Sequence, residues 1–431
     1  MIKVLSGNDP SINKLLAYNE DFDKYEQQVK DILNNIKARG DQAIFEYTAQ
    51  FDGSSVNCQS FMVTEAEIED AYKQVEEEFV TAIKKAYEKI AGFHRKQLRY
   101  SWLEPDSTGS ILGQVIRPLK RVGLYVPGGT ASYPSSVLMN AVPAQVAGVS
   151  EIVMVTPPLR GTTAVNPYTL VAAKEAGVTE IYKMGGAQAI GALAFGTETL
   201  AQVDKITGPG NIYVTLAKKQ VYGVVDIDML AGPSEIVILA DENANPAYVA
   251  ADLLSQAEHD TLAAAILVTP SQELADKVLL QLEEQLKLLP RSEIAEQSLR
   301  NRGAIVMVEN IAAGIAIVNK LAPEHLEVLV AEPFGILGMI ENAGAIFLGE
   351  YSPEPIGDYI AGPNHVLPTG GTARFYSPLN VDTFLKKSSV ICYSKAALLA
   401  DGPSVVTLAE GEGLSAHANA VRVRIKQLGG N

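Results

Sequence analysis

The spacing of apolar positions changes along the chain. After Thr64, apolar residues recur at helical intervals, with Ile68, Tyr72, Val75, Phe79, Ile83, Tyr87 and Ile90 on one face. Thr64-Glu-Ala-Glu67 has the spacing of a capping box, so the pattern predicts one long amphipathic helix opening there. His94 rides the end of that helix with no polar motif around it, which suits a partly buried or capping side chain. From Val122 onward, short β-rich runs punctuated by Gly and Pro alternate with Ala-rich helical stretches. The strands predicted are 122–126, 152–156, 180–183, 236–240, 265–269, 304–308 and 345–348. That alternation implies βαβ units and mostly parallel sheet. Val153-Met-Val-Thr-Pro157 and Ile266-Leu-Val-Thr-Pro270 echo one another, each leaving a strand, which hints at two related α/β domains. Beyond about residue 380 the strand rhythm fades, 414–428 reads as a helix, and the tail is expected to be a separate arm.

Composition narrows the class. The chain has 431 residues, 47% of them apolar, enough for two or three domains with sizeable cores. Its 50 acidic and 35 basic residues give a net charge of −15. That balance argues against a nucleic-acid partner, because phosphate binding relies on clustered Lys and Arg. The opening Met1-Ile-Lys-Val-Leu-Ser-Gly-Asn-Asp-Pro10 lacks the apolar core of a secretory signal, and no apolar run approaches the ~20 residues of a membrane span. A cytoplasmic location without membrane association is the expectation. Cys58 and Cys392 fit neither a disulfide framework nor a thiolate zinc site.

Four of the five histidines lie between positions 259 and 417, each near another metal-binding or proton-moving residue. Gln256 and His259 are three apart in a segment, 246–259, that reads as a helix, so both could reach one ion. Alone, that pair is a weak signal. Asp358 follows Pro353, Pro355 and Gly357 in an expected loop, and His417 lies near the start of the last helix. Together Gln256, His259, Asp358 and His417 offer two imidazoles, one carboxylate and one amide oxygen, a set that suits zinc better than calcium or magnesium. With a single carboxylate the ion would stay electrophilic and open to substrate. Glu324-His325, placed at a boundary by Pro323, could divide water activation and proton shuttling near neutral pH.

Glycine-rich segments form the third set: Gly123-Leu-Tyr-Val-Pro-Gly-Gly129, Gly185-Gly-Ala-Gln-Ala189, Thr207-Gly-Pro-Gly-Asn211 and Ala231-Gly-Pro-Ser-Glu235. Each adjoins a predicted strand, where loops form ligand crevices in open α/β sheets. None matches Gly-x-Gly-x-x-Gly, so a nucleotide would bind here without the usual phosphate-cradling turn.

Five segments carry a family resemblance: Ala251-Asp-Leu-Leu-Ser-Gln-Ala-Glu-His259, Gly208-Pro-Gly-Asn211, Ala231-Gly-Pro-Ser-Glu235, Ala322-Pro-Glu-His325 and Gly357-Asp-Tyr-Ile-Ala-Gly-Pro-Asn-His365. They resemble the signature segments of the histidinol dehydrogenases, and the similarity runs over nearly the whole chain. The resemblance implies zinc, one ion per subunit, on Gln256, His259, Asp358 and His417, with Glu324 and His325 as the acid/base pair. It implies that Ser234, Gln256, His259, His325, Asp358, Glu412 and His417 hold L-histidinol, with His365 and Glu354 close by, and that Tyr125, Gln188 and Asn211 contact NAD. It also implies a homodimer in which the C-terminal arm of one subunit completes the site of the other, so that Glu412 and His417 act in trans.

The implied fold is α/β, with two incomplete Rossmann-like domains of parallel sheet, an N-terminal helical segment and a C-terminal helical arm. The expected boundaries are an extension at 1–22, a first domain from 23–122 plus 235–380, a second at 123–234, and an arm at 381–431. The implied reaction is the four-electron oxidation of L-histidinol to L-histidine through L-histidinal, the last two steps of histidine biosynthesis. His325 fits the base for the hydroxyl proton, and Glu324 fits the group that hydrates the aldehyde. A cysteine thiohemiacetal is disfavoured, since neither Cys58 nor Cys392 lies in a candidate segment. The competing readings are a sister dehydrogenase of another small alcohol on the same scaffold and, behind it, a zinc hydrolase, which the absence of His-Glu-x-x-His disfavours.

Overall fold

The computed structural model describes residues 2–16, 23–128 and 133–429. The chain divides into a larger unit, Met1–Gln97 with Leu119–Phe384, and a smaller one, Leu98–Pro118 with Leu385–Asn431. It opens with strand β1 (Lys3–Ser6), followed by β2 (Trp102–Pro105) and β3 (Ile111–Pro118). Five strands come next: β4 (Arg121–Tyr125), β5 (Glu151–Thr156), β6 (Glu180–Lys183), β7 (Lys205–Thr207) and β8 (Asp226–Ile227). After them come β9 (Glu235–Ala240), β10 (Ala264–Thr269), β11 (Ala304–Met307), β12 (His325–Leu329), β13 (Ala345–Leu348) and, last, β14 (Leu385–Cys392).

The larger unit holds two sheets, each parallel throughout, as the strand–helix alternation predicts. One has the order β6-β5-β4-β7-β8 and the other β1-β11-β10-β9-β12-β13. Helices cover the central strands on both faces, which is why β4, β9, β10 and β12 are buried along their whole length and why β9 and β10 read as nearly continuous apolar runs. In the five-stranded sheet the winding reverses between β4 and β7; in the six-stranded sheet it reverses between β9 and β12. All seven predicted strands form, within one residue at their ends. The capping box at Thr64 is also present, with the Thr64 side chain accepting from the Glu67 N–H and Glu67 reaching back to the Thr64 N–H.

Several expectations are corrected. The single amphipathic helix is two, Glu65–Tyr72 and Glu77–Arg95, broken after Lys73. His94 is fully buried, and its Nδ1 lies 2.8 Å from the Ile90 carbonyl. The helix at 246 ends at Ala257, so His259 stands in the turn beyond it rather than on the helix face beside Gln256. Asp358 sits not in a loop but in a π-helical turn, Gly357–Ala361, that continues the short helix Glu354–Ile356.

The drawn domain boundary at 23–122 also shifts. Val29, Leu33, Ile36 and Ile44 of the helical segment Asp23–Asp52, kinked at Gly40, share a core with Val153, Ile190 and Leu193, so this segment packs on the helices Gly186–Phe195 and Ile212–Val221 beside the five-stranded sheet and not on the sheet of 235–380. The proposed extension 1–22 contributes β1 to the edge of the six-stranded sheet; residues 17–22 lie outside the described ones. In the smaller unit β14, β3 and β2 form an antiparallel sheet, and the helices Lys395–Gly411 and Ser415–Gln427 pack together, the second close to the predicted 414–428. No described helix is long and apolar enough to cross a membrane.

Candidate active site

Two places in the larger unit gather polar side chains inside otherwise apolar surroundings. The first is the N-terminal edge of the six-stranded sheet, where β9 begins at Glu235 and its neighbour β12 begins at His325. Ala322 before them is left-handed (φ 48°), the only positive-φ non-glycine among the described residues. With Pro323 following, this turn leads Glu324 and His325 into the interior, where they are 6% and 3% exposed. Both are held by one residue of β9. The Glu235 N–H donates to Glu324 Oε2 at 2.8 Å, and the Glu235 carbonyl lies 2.9 Å from His325 Nδ1. A carbonyl only accepts, so Nδ1 carries the hydrogen. His325 Nε2 has no hydrogen-bond partner and faces Asp358 Oδ1 at 3.8 Å and Glu354 Oε1 at 4.0 Å.

Burial governs the ionisation of this cluster. Burial pushes the Glu324 carboxyl up to about 7, against the opposing pull of His325. Burial would depress His325, but Glu324, Asp358 and Glu354 outweigh it and raise the imidazolium to about 10. Asp358 is held low: burial opposes its charge, but the neighbouring His325 and His365 imidazoles prevail. Glu354 is raised by burial and by Asp358; its Oε2 accepts from Ser255 Oγ at 3.2 Å. Burial lowers both His365 and His259, with Asp358 opposing the shift in each. His365 Nδ1 lies 3.1 Å from the Asp358 carbonyl, and its Nε2 lies 3.4 Å from Ser136 Oγ.

The expected residues fall as follows. Glu324, His325, Glu354, Asp358 and His365 form one contiguous group. His259 feels the charges of both Asp358 and His325, and keeps an exposed face. Gln256 is fully buried with neither amide atom partnered, a costly state in a dry interior unless an ion or ligand completes it. Donor atoms of His325, Glu354 and Asp358 also lie within 4.8 Å of one another, close enough for one cation. Ser234 is half-buried just before β9. Glu412, at the end of the helix Lys395–Gly411, and His417, in the first turn of Ser415–Gln427, are exposed residues of the smaller unit. The sequence reading missed Glu235, Asp252 and Glu327, all acids in this region. Their positions two residues after His325 and four before Gln256 would have revealed the last two, by strand and helix periodicity.

The second place is the switch point between β4 and β7. Tyr125, at the end of β4, is buried, and its hydroxyl accepts from the Gly186 N–H at 3.1 Å. Gly208 follows β7 at φ 114°, and an added Cβ would stand 2.1 Å from the Tyr125 carbonyl, so only glycine fits. A buried Lys218–Asp228 ion pair clamps that glycine: its N–H donates to Asp228 at 2.8 Å and its carbonyl accepts from Lys218 at 3.0 Å. Gln188 is 1% exposed with both amide atoms unpartnered. Asn211 Oδ1 caps the helix Ile212–Val221, accepting from the Tyr213 and Val214 N–H groups at 3.1 and 3.2 Å, which leaves its amide nitrogen for a ligand.

A bare, oriented imidazole beside a buried acid on one parallel sheet, with a glycine-bearing switch point on another, is an arrangement suited to an α/β enzyme. The family model described as histidinol dehydrogenase matches residues 17–425. Curated histidinol dehydrogenases from Heliobacterium mobile and Halalkalibacterium halodurans are similar at 62% identity over 400 residues (93% of each chain) and 56% over 425 residues (99% of each). The crystal structure of a histidinol dehydrogenase from Elizabethkingia anophelis superposes with a TM-score of 0.94 at 39% identity, covering 99% of both chains. The chain belongs to the histidinol dehydrogenase family.

Proposed function

We propose that this enzyme oxidises L-histidinol to L-histidine through L-histidinal, using NAD at the β4/β7 switch point and one zinc ion per subunit at the N-terminal edge of the six-stranded sheet. Gln256, His259 and Asp358 would hold the zinc, with His417 supplied by the arm of a partner subunit in a homodimer. The partnerless Gln256 amide supports an ion there, and the mixed imidazole, carboxylate and amide donors suit zinc. When bound, zinc supplies a Lewis-acidic anchor for the substrate's imidazole and amino nitrogens. The two parallel sheets are read as two incomplete Rossmann-like domains, and the setting as the cytoplasm, where the exposed free Cys58 and Cys392 would stay reduced.

His325 does the first proton transfer. Its Nδ1–H is fixed on the Glu235 carbonyl, so Nε2 takes the hydroxyl proton while hydride leaves for the nicotinamide. Glu324 serves the second oxidation. Its Oε2 is fixed by the Glu235 N–H, which leaves Oε1 to draw a proton from water as it adds to the aldehyde, and burial keeps that carboxyl near neutral pKa. The aldehyde oxygen takes the proton back from His325, and the hydrate then gives the second hydride to a second NAD as its hydroxyl proton passes to His325. Ser234, His365, Glu354 and the arm's Glu412 would surround the substrate, and Tyr125, Gln188 and Asn211 would contact NAD.

The observation that carries this reading is the His325 ring, oriented at one nitrogen and bare at the other. The test incubates purified protein with histidinol and NAD⁺ and follows NADH, before and after chelation. Two NADH per histidinol, lost on chelation and regained with zinc, is the expected result. Turnover of other alcohols only, or none at all, overturns it.

A further inference from the structure

Two acids outside the proposed machinery lie directly behind it, Glu327 buried and Asp252 half-buried. Glu327 and His325 are two apart on β12 and point to the same face, and Asp252 and Gln256 are four apart on one face of the helix Pro246–Ala257. Glu327 has no exposed surface. Its Oε1 accepts the Glu354 N–H at 2.8 Å, the first N–H of the turn that carries Glu354 and Asp358. Its Oε2 finds no donor, yet its carboxyl group meets that of Asp252 at hydrogen-bond distance. Two carboxyls in contact inside a protein share a proton, and that proton satisfies Oε2. Burial raises both acids, and the charge of Asp252 raises Glu327 further, while the contact with Glu327 pulls Asp252 the other way.

We propose that Asp252 and Glu327 form a proton-sharing carboxyl pair that positions the Glu354–Asp358 turn against His325 and Gln256. The pair joins three elements: the strand bearing His325, the helix bearing Gln256, and the turn bearing Glu354 and Asp358. Neither acid touches substrate. Both act through the N–H they hold and the register they set, as outer-shell partners of ligands do. The proposal rests on the reading of this cluster as the zinc and proton-transfer site.

Glu327→Gln and Glu327→Met test it in the full-length enzyme. Gln keeps an acceptor for the Glu354 N–H and donates to Asp252, reproducing the protonated acid; Met has the same length and does neither. Measured are kcat, the KM for NAD⁺, and zinc affinity by competition with a chelator. Glu327→Met is expected to lose about 10–100-fold in kcat and in zinc affinity, with the KM for NAD⁺ unmoved because that crevice lies on the other sheet, and Glu327→Gln to stay within about threefold. If Glu327→Met does not fold, the double variant Asp252→Leu, Glu327→Met, which leaves no unpaired acid, takes its place with the same expectation. Met-variant kcat and zinc affinity equal to wild type, or a Gln variant as damaged as the Met variant, overturns the proposal while leaving the functional reading intact. Wild-type enzyme that fails to oxidise histidinol overturns both.

Discussion

His325 owes its proposed role to the difference between its two ring nitrogens. Nδ1 is tied to a main-chain carbonyl that no side-chain substitution removes, whereas Nε2 points at two carboxylates with no hydrogen-bond partner. Those carboxylates favour the imidazolium, and a divalent cation held by Asp358 would supply a charge that opposes them. An asparagine at 325 can keep the contact with Glu235 but cannot accept the hydroxyl proton. His325→Asn is therefore expected to lower kcat by about 10²–10⁴-fold with zinc content, read by elemental analysis, unchanged. Retention of full turnover would remove His325 from the mechanism. The residue types legible from sequence were those with rare chemistry in motifs, namely Gln256, His259, Glu324, His325 and Asp358. Glu235 was hidden because it works mainly through its backbone.

At the level of elements, the first residues of β9 and β12 concentrate protons. Glu324, Glu235 and His325 have folded values of about 7, about 8 and about 10, each above its ordinary value; for both acids burial is the leading cause, and for His325 the neighbouring carboxylates overcome burial. A group that binds its proton more tightly when folded stabilises fully below its unfolded pKa and loses that contribution as pH rises through its folded value. All three therefore act in the same direction above about pH 5. Asp358, whose value is lowered, acts in the opposite direction but only in acid, as pH falls below its ordinary range. The metal-free enzyme is expected to lose roughly 5 °C in Tm between pH 6.5 and 9, by scanning calorimetry, with a shallower slope in Glu235→Gln, whose amide oxygen still accepts from Gly370. A Tm that rises across that interval would show the protons to be placed wrongly. The same burial explains why β12 escaped the apolar pattern. His-Leu-Glu-Val-Leu alternates charged and apolar residues as a half-exposed strand would, yet all five are buried. β7 and β8 were too short to register as runs.

Across the whole molecule, the two parallel sheets were legible because most of their strands are runs of apolar residues followed by a Gly- or Pro-marked loop. Which sheet the helical segment Asp23–Asp52 packs beside was not, since an amphipathic face names no partner; only packing with Ile190 and Leu193 decides it. The origin of His417 and Glu412 in a working site is a question of the same kind, and subunit mixing answers it. In the proposed dimer each site takes His325 from one subunit and His417 from the other. His325→Asn and His417→Ala homodimers are then both inactive, and so is any site built entirely within either mutant chain. A mixed dimer has one site carrying both lesions and one carrying neither. Equal amounts, unfolded and refolded together, give half mixed dimers with half their sites intact, so activity returns to about a quarter of wild type. If the arm serves its own subunit, every site in the mixed dimer keeps one lesion and no activity returns. Co-refolding of differently tagged chains, with the mixed species isolated by tandem affinity before assay, separates the two results.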